Sequence, residues 1–335
     1  MKKILFLIPL TLIILSGCGN IKSYSRDIFA MDTYMSVKAY GENAENAVSE
    51  CEQLIYRLDS ELSVTNEESC IYRLNSADGE PVEVTENAAE IIHRANEISR
   101  KTDGALDITM YPLVKEWGFI DSHYNVPEDE RIAVLLKNVG YENIQLNGNI
   151  VQMPENCQID LGSAAKGYTG DMVIEKLKEN GVRSAVINLG GNVQTLGMRP
   201  DGTNWKVAVR SPFEADKNIC ELEIGEKAVV TSGNYERCFS DEGKMYWHIL
   251  DPEDGYPADN GIVSATVIGV NGTECDALST ALFVMGKDKA VDFWKNNNDF
   301  DMILVTNDRK IYYTQELSGN IKNISDLPAE VIQHD

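Results

Sequence analysis

Paired metal-binding cysteines are missing from this sequence. Its seven cysteines and four histidines are scattered, with no CxxC and no Cys/His cluster, which argues against a zinc or iron–sulfur centre. Basic residues are scarce as well: 30 Lys and Arg stand against 53 Asp and Glu, for a net charge of -23. That balance argues against nucleic acid, or a basic clamp for anionic lipid, as a partner. It also means that any polyphosphate ligand must be held by local N–H donors, a lysine or a metal cation. Apart from residues 4–15 there is no long apolar run, and no tandem repeat or low-complexity linker breaks the chain. The 335 residues, 43% hydrophobic and 25% charged, suit a globular protein built as one large domain or two closely packed halves.

The N-terminus reads as an export signal. Met1, Lys2 and Lys3 form a charged start, and the apolar run after them is too short for a finished transmembrane helix. It ends in Leu15-Ser16-Gly17-Cys18, which resembles the lipobox of bacterial lipoproteins, with an ordinary signal peptide as the alternative. On this reading residues 1–17 are removed, Cys18 carries the lipid, and residues 18–26 tether one domain over 27–335. The expected location is the cell membrane, lipid-anchored and facing outside the cytoplasm. Some of the other cysteines can pair in such a compartment, in an order the sequence does not disclose.

Periodicity predicts a strand over residues 27–40, helices over 43–58, 86–102 and 129–139, and a hairpin about Asn147-Gly148. Further strands are expected at 184–189, 205–210, 219–224 and 262–270, a helix at 274–285, and two last strands about Asn307-Asp308. The class is α+β. An apolar lead-in at 157–161, a Gly/Ser/Ala turn and a helix from about 172 read as strand, turn and helix. A helix start of that kind presents free N–H groups to an anion, with Ser163 and Lys166 at hand, although geometry alone also favours small residues there.

Two other stretches carry candidate chemistry. Asp276, Ser279 and Thr280 fall at i, i+3 and i+4, so one helix face offers a carboxylate and two hydroxyls, as hard ligands for Mg²⁺ or as a simple cap. His248 sits in the dense run Tyr246-Trp247-His248-Ile249-Leu250-Asp251-Pro252, as a proton carrier or as a structural histidine under the Asp-Pro turn. The acid-bearing turn Asp103-Gly104-Ala105-Leu106-Asp107 is either a ligand-facing loop or a capped turn.

Five segments, Met31-Asp32-Thr33, Asp103 to Thr109, Asp160 to Gly167, Ser232 to Pro252 and Asp276 to Gly286, with the turn Asn188-Leu189-Gly190-Gly191, occur in the order in which they appear in the ApbE family, and the chain resembles that family from about residue 27 to its end. The resemblance implies an α+β tunnelling-type (T-fold-like) architecture with two internally related halves. It implies transfer of FMN from FAD, with Mg²⁺ or another divalent ion, to a Ser/Thr hydroxyl of an exported or membrane protein, with release of AMP. By position it assigns metal binding to Ser163, Asp276 and Thr280, with Ser279 adjacent. It assigns flavin-nucleotide binding to Met31, Ala105, Leu106, Asp107, Asp160, Lys166 and Leu250, and deprotonation of the acceptor to His248. Departures from the commoner pattern are Asp32 for Gly, Ser163-Ala164 for Gly-Ile, Cys275 for Ala, and Thr65 where some members place an aromatic residue. At Ser163 a backbone carbonyl can therefore replace the hydroxyl as ligand. The rival readings are a metal-dependent FAD pyrophosphatase and a non-catalytic FAD-binding lipoprotein.

Overall fold

The computed structural model describes residues 21–297 and 299–334; the expected signal peptide and Cys18 lie outside them. Among the described residues nine strands form a central sheet. Their spatial order is Ser23–Ala30, Thr33–Tyr40, Ser184–Leu189, Asn192–Leu196, Ala228–Gly233, Ile262–Gly269, Asp301–Thr306, Ile311–Thr314 and Ala329–Ile332. Neighbours run antiparallel except the last pair, which is parallel.

Both faces of this sheet are covered. Asp301–Thr306 is buried throughout and shows why. Met302 and Leu304 face a core shared with helices, whereas Ile303 and Val305 face Trp205, Val207 and Leu222 of a smaller sheet. Alternate residues of a strand point to opposite faces, so a continuously apolar strand is the signature of a middle layer. The smaller sheet is Ile321–Asn323, Asn218–Ile224 and Trp205–Arg210. The helical layer is Ala44–Leu62, Glu86–Lys101, Ala165–Glu179 and Gly272–Asn296.

The last two helices approach unusually closely. A Cβ on Gly167 would lie 2.1 Å from the Gly272 carbonyl oxygen, and one on Gly272 would lie 1.8 Å from Gln194 Nε2. The absence of side chains there lets Gln194 Nε2 donate to the Gly167 carbonyl at 3.0 Å. Asp171 of one helix then caps the other, its carboxylate accepting from the Gly272 and Thr273 amides at 2.7 and 2.9 Å.

Several expected elements differ. Residues 27–40 are two strands, not one, turned at Met31 (φ 49) and Asp32 (φ 55). Two successive positive φ values make a tight hairpin turn, and Asp tolerates that region better than most residues. The first strand starts at Ser23, so the fold takes in residues that were expected to belong to the tether.

Residues 157–161 join no sheet. Instead Asn75 stands in for a neighbouring strand, donating from Nδ2 to the Ile159 carbonyl and accepting from its amide, both at 2.8 Å. The following helix begins at Ala165, earlier than expected, which places Lys166 and Gly167 in its first turn. The helix expected to end at 285 does break, at Gly286 (φ 76), and resumes to Asn296. Asn260 Nδ2 covers the freed carbonyls of Phe283 and Val284 at 2.8 and 2.9 Å.

Candidate active site

A cavity of about 590 Å³ opens where the first hairpin turn, the starts of the two close helices and the loop beyond Trp247 meet. Its size is that of a pocket for a cofactor-sized molecule. Met31, Ala105, Leu106, Asp107, Asp160, Ser163, Lys166, His248, Leu250, Asp276 and Thr280 all line it. Ser279 is fully buried and is absent from its wall.

The hairpin turn is held in place from behind. The Met31 amide donates to Asp59 Oδ1 at 2.9 Å, which fixes a methionine in a backbone region it rarely occupies. Gly190 (φ 65) lies against it, where a Cβ would meet Thr33 Oγ1 at 2.5 Å.

Asp107 shapes the opposite wall. Oδ1 accepts from the Thr109 amide and hydroxyl at 2.8 and 2.6 Å, and Oδ2 from the Tyr141 amide at 3.0 Å. Burial pushes its carboxyl pKa up and these hydrogen bonds oppose the shift. Both oxygens thus accept from the chain and hold the loop that forms this wall. Asp160 is similar in part: Oδ1 accepts from the Gly162 amide at 2.8 Å.

The helix start does bind an anion, but that anion belongs to the protein. The Gly167 amide donates to Asp276 Oδ2 at 2.8 Å across the helix pair. Asp276 is only 4% exposed, and burial pushes its pKa up against the nearby Lys166 charge. Asn192 stands near enough to favour the ionised carboxylate, yet neither its Oδ1 nor its Nδ2 has a partner of normal hydrogen-bond geometry. A buried carboxylate beside an unpartnered amide is an arrangement that a bound cation or polar ligand would complete.

Lys166 donates to the Gly162 carbonyl at 3.1 Å, leaving protons of its ammonium for a ligand. His248 closes the site. Its Nδ1 is buried without a partner, and burial, then the charges of Arg237 and Lys166, push its pKa down to about 4. The imidazole is therefore neutral at pH 7 and free to take a proton.

Behind it lies an aromatic cap. Phe119 meets His248 edge-on at 6.4 Å, and Trp117 Nε1 donates to the Gly255 carbonyl at 3.0 Å, tying the cap to the Asp-Pro turn.

Among the described residues no group of three or more His, Cys, Asp or Glu could hold a metal, and no helix is long and apolar enough to cross a membrane. The six described cysteines are unpaired. The available donor set is one carboxylate with hydroxyl and carbonyl oxygens. That set fits Mg²⁺, which keeps waters and takes substrate phosphate oxygens, and it does not fit a softer metal.

Sequence reasoning passed over Ser232, Asn192 and Arg237 as site residues, although all three line the cavity. The first and last lie in the segment from Ser232 to Pro252 that matches the family, which was given no site role before His248, and Asn192 ends the Gly-Gly turn.

Residues 31–304 match the model of the ApbE family. A relative from Klebsiella pneumoniae, named FAD:protein FMN transferase, is 36% identical over 294 residues, covering 86% of this chain and 90% of the relative. One of the same name from Haemophilus influenzae is 32% identical, covering 72% and 71%. The crystal structure of the ApbE protein from Thermotoga maritima superposes with a TM-score of 0.84 at 32% identity, covering 88% of this chain and 98% of that one. The flavin transferase ApbE from Vibrio cholerae does so with 0.80 at 25%, covering 90% and 100%. Fold, ordered motifs and overall similarity agree: this chain belongs to the ApbE family.

Proposed function

We propose that this protein transfers FMN from FAD to a Ser/Thr hydroxyl of an exported or membrane acceptor protein, in a Mg²⁺-dependent reaction that releases AMP. One observation carries the reading: a neutral histidine and a buried carboxylate share a cavity, with a lysine charge acting on both. Around a pyrophosphate those groups have distinct tasks. Asp276, Thr280 and Ser163 would hold the divalent ion, which when bound would neutralise phosphate charge. Lys166 pairs with a phosphate oxygen.

His248 accepts the proton of the acceptor hydroxyl as its oxygen bonds to the FMN phosphorus. The bond from that phosphorus to the AMP oxygen breaks, and AMP leaves. A histidine with a pKa near 4 is a weak base in the free protein. The pyrophosphate of FAD would offset the Lys166 and Arg237 charges and so strengthen it. The loop 105–107 and Met31 would seat the flavin nucleotide, with Leu250 as a further apolar contact. A lipid on Cys18 would keep the domain at the outer face of the membrane, where exported flavoproteins of electron-transfer chains are the expected acceptors.

Nucleotide chromatography tests this directly. With FAD and MgCl₂, AMP should appear only when an acceptor protein is added, and EDTA should stop it. AMP and free FMN formed equally fast without acceptor would make the protein a pyrophosphatase instead.

A further inference from the structure

Three hydroxyls form an unbroken chain beside Asp276. Ser279 Oγ donates to the Asp276 main-chain carbonyl at 2.8 Å. Ser232 Oγ lies 2.7 Å from Ser279 Oγ and 3.2 Å from Thr280 Oγ1. Each hydroxyl owns one proton, and a carbonyl can only accept.

Counting protons from the carbonyl end fixes every direction. The Ser279 proton goes to the carbonyl, so Ser279 must accept from Ser232. The Ser232 proton is then spent, so Ser232 must accept from Thr280. The chain therefore runs from Thr280 to Ser232 to Ser279 to the carbonyl, and of its three hydroxyls those of Thr280 and Ser232 belong to residues that line the cavity.

This matters for what Thr280 can do. A threonine hydroxyl with a free proton turns it toward the nearest carboxylate or phosphate. One whose proton is drawn into the protein presents lone pairs, as a cation ligand must. We propose that Ser232 is a positioning residue that orients the Thr280 hydroxyl for a divalent cation, with Ser279 as the middle of the relay and not a ligand. Partners of this kind behind a ligand are known to tune metal affinity. The inference rests on the divalent-ion reading above, and it accounts for a hydroxyl at Ser279 that is fully buried beside the site.

The test uses the full-length protein in detergent and Mn²⁺ as probe, titrated by the electron paramagnetic resonance signal of the free ion. Ser232→Ala should weaken Mn²⁺ binding about ten-fold, the lower end of what such partners contribute, and Ser232→Thr should restore it. Ser279→Ala, at a residue outside the cavity wall, should weaken it several-fold because Ser232 loses its acceptor. A merely structural role would lower the melting temperature of these variants and leave Mn²⁺ affinity alone. Unchanged affinity in Ser232→Ala and Ser279→Ala, with Thr280→Ala still weakened, would overturn the relay while sparing the metal site. Unchanged affinity in Thr280→Ala and Asp276→Asn as well would overturn both.

Discussion

The amide of Gly167 donates to Oδ2 of Asp276 at 2.8 Å, joining the first turn of one helix to the side of another. The bond exists because neither Gly167 nor Gly272 has a side chain at the crossing. The Asp276 carboxylate is thus anchored across this crossing, from the other helix.

Gly167→Ala should therefore separate the helices. Its Cβ would sit 2.1 Å from a backbone oxygen and 2.7 Å from the Asp276 Cβ, neither at the end of a flexible side chain. A loss of about 3 kcal/mol in urea unfolding is expected, the upper range for overpacking. Gly225→Ala, with nothing within 4 Å, should stay within about 0.5 kcal/mol.

Asp276→Asn should separate stability from function. Burial disfavours the charged carboxylate, so the neutral amide relieves that cost while its oxygen still accepts from Gly167. The metal-free variant should melt at or above the wild-type temperature, and MgCl₂ should raise the melting temperature of the wild type only. A large drop in the metal-free variant would show that Asp276 serves chiefly to hold the fold.

His248 gives a pH signature with a definite sign. Its pKa is about 4 folded, against about 6.5 for an unperturbed histidine. At neutral pH both states carry a neutral ring and nothing is lost. As pH falls from 6.5 toward 4 the unfolded chain takes up the proton first, so stability drops, by roughly 3 kcal/mol at the limit. His248→Gln lacks this drop, so its stability relative to wild type should rise across that window. Parallel curves would mean that the ring is not desolvated. The same variant should bind FAD normally and transfer FMN roughly 10²–10⁴-fold more slowly.

Asn75→Ala should leave the Ile159 amide and carbonyl buried without partners. About 2–4 kcal/mol of destabilisation is expected from two such groups, read by chemical denaturation. A change below about 1 kcal/mol would indicate that water replaces the amide.

Legibility in the sequence followed the range of the interactions. Ser184–Leu189 and Trp205–Arg210 match their expected bounds, because apolar continuity and alternation are written along the strand itself. The turn at Met31 and Asp32 escaped notice because neither residue is the Gly or Asn that announces such a turn.

The Asn75 pairing with Ile159 spans 84 positions, and no local pattern announces it. Most of the cavity wall was legible through ordered family motifs, and periodicity alone would not have singled it out. Ser232 opens one of those motifs, but its role was not legible, since its partners Ser279 and Thr280 come from a helix 47 and 48 positions away.

Transfer of FMN to an acceptor shows in the acceptor's intact mass. The soluble chain from residue 20 would be incubated with FAD, MgCl₂ and an exported flavoprotein fragment carrying a candidate acceptor threonine. The acceptor should gain the mass of one FMN, and EDTA or Asp276→Ala should abolish the gain. An acceptor that stays unmodified while FAD is consumed to free FMN and AMP, across several acceptors, would contradict it.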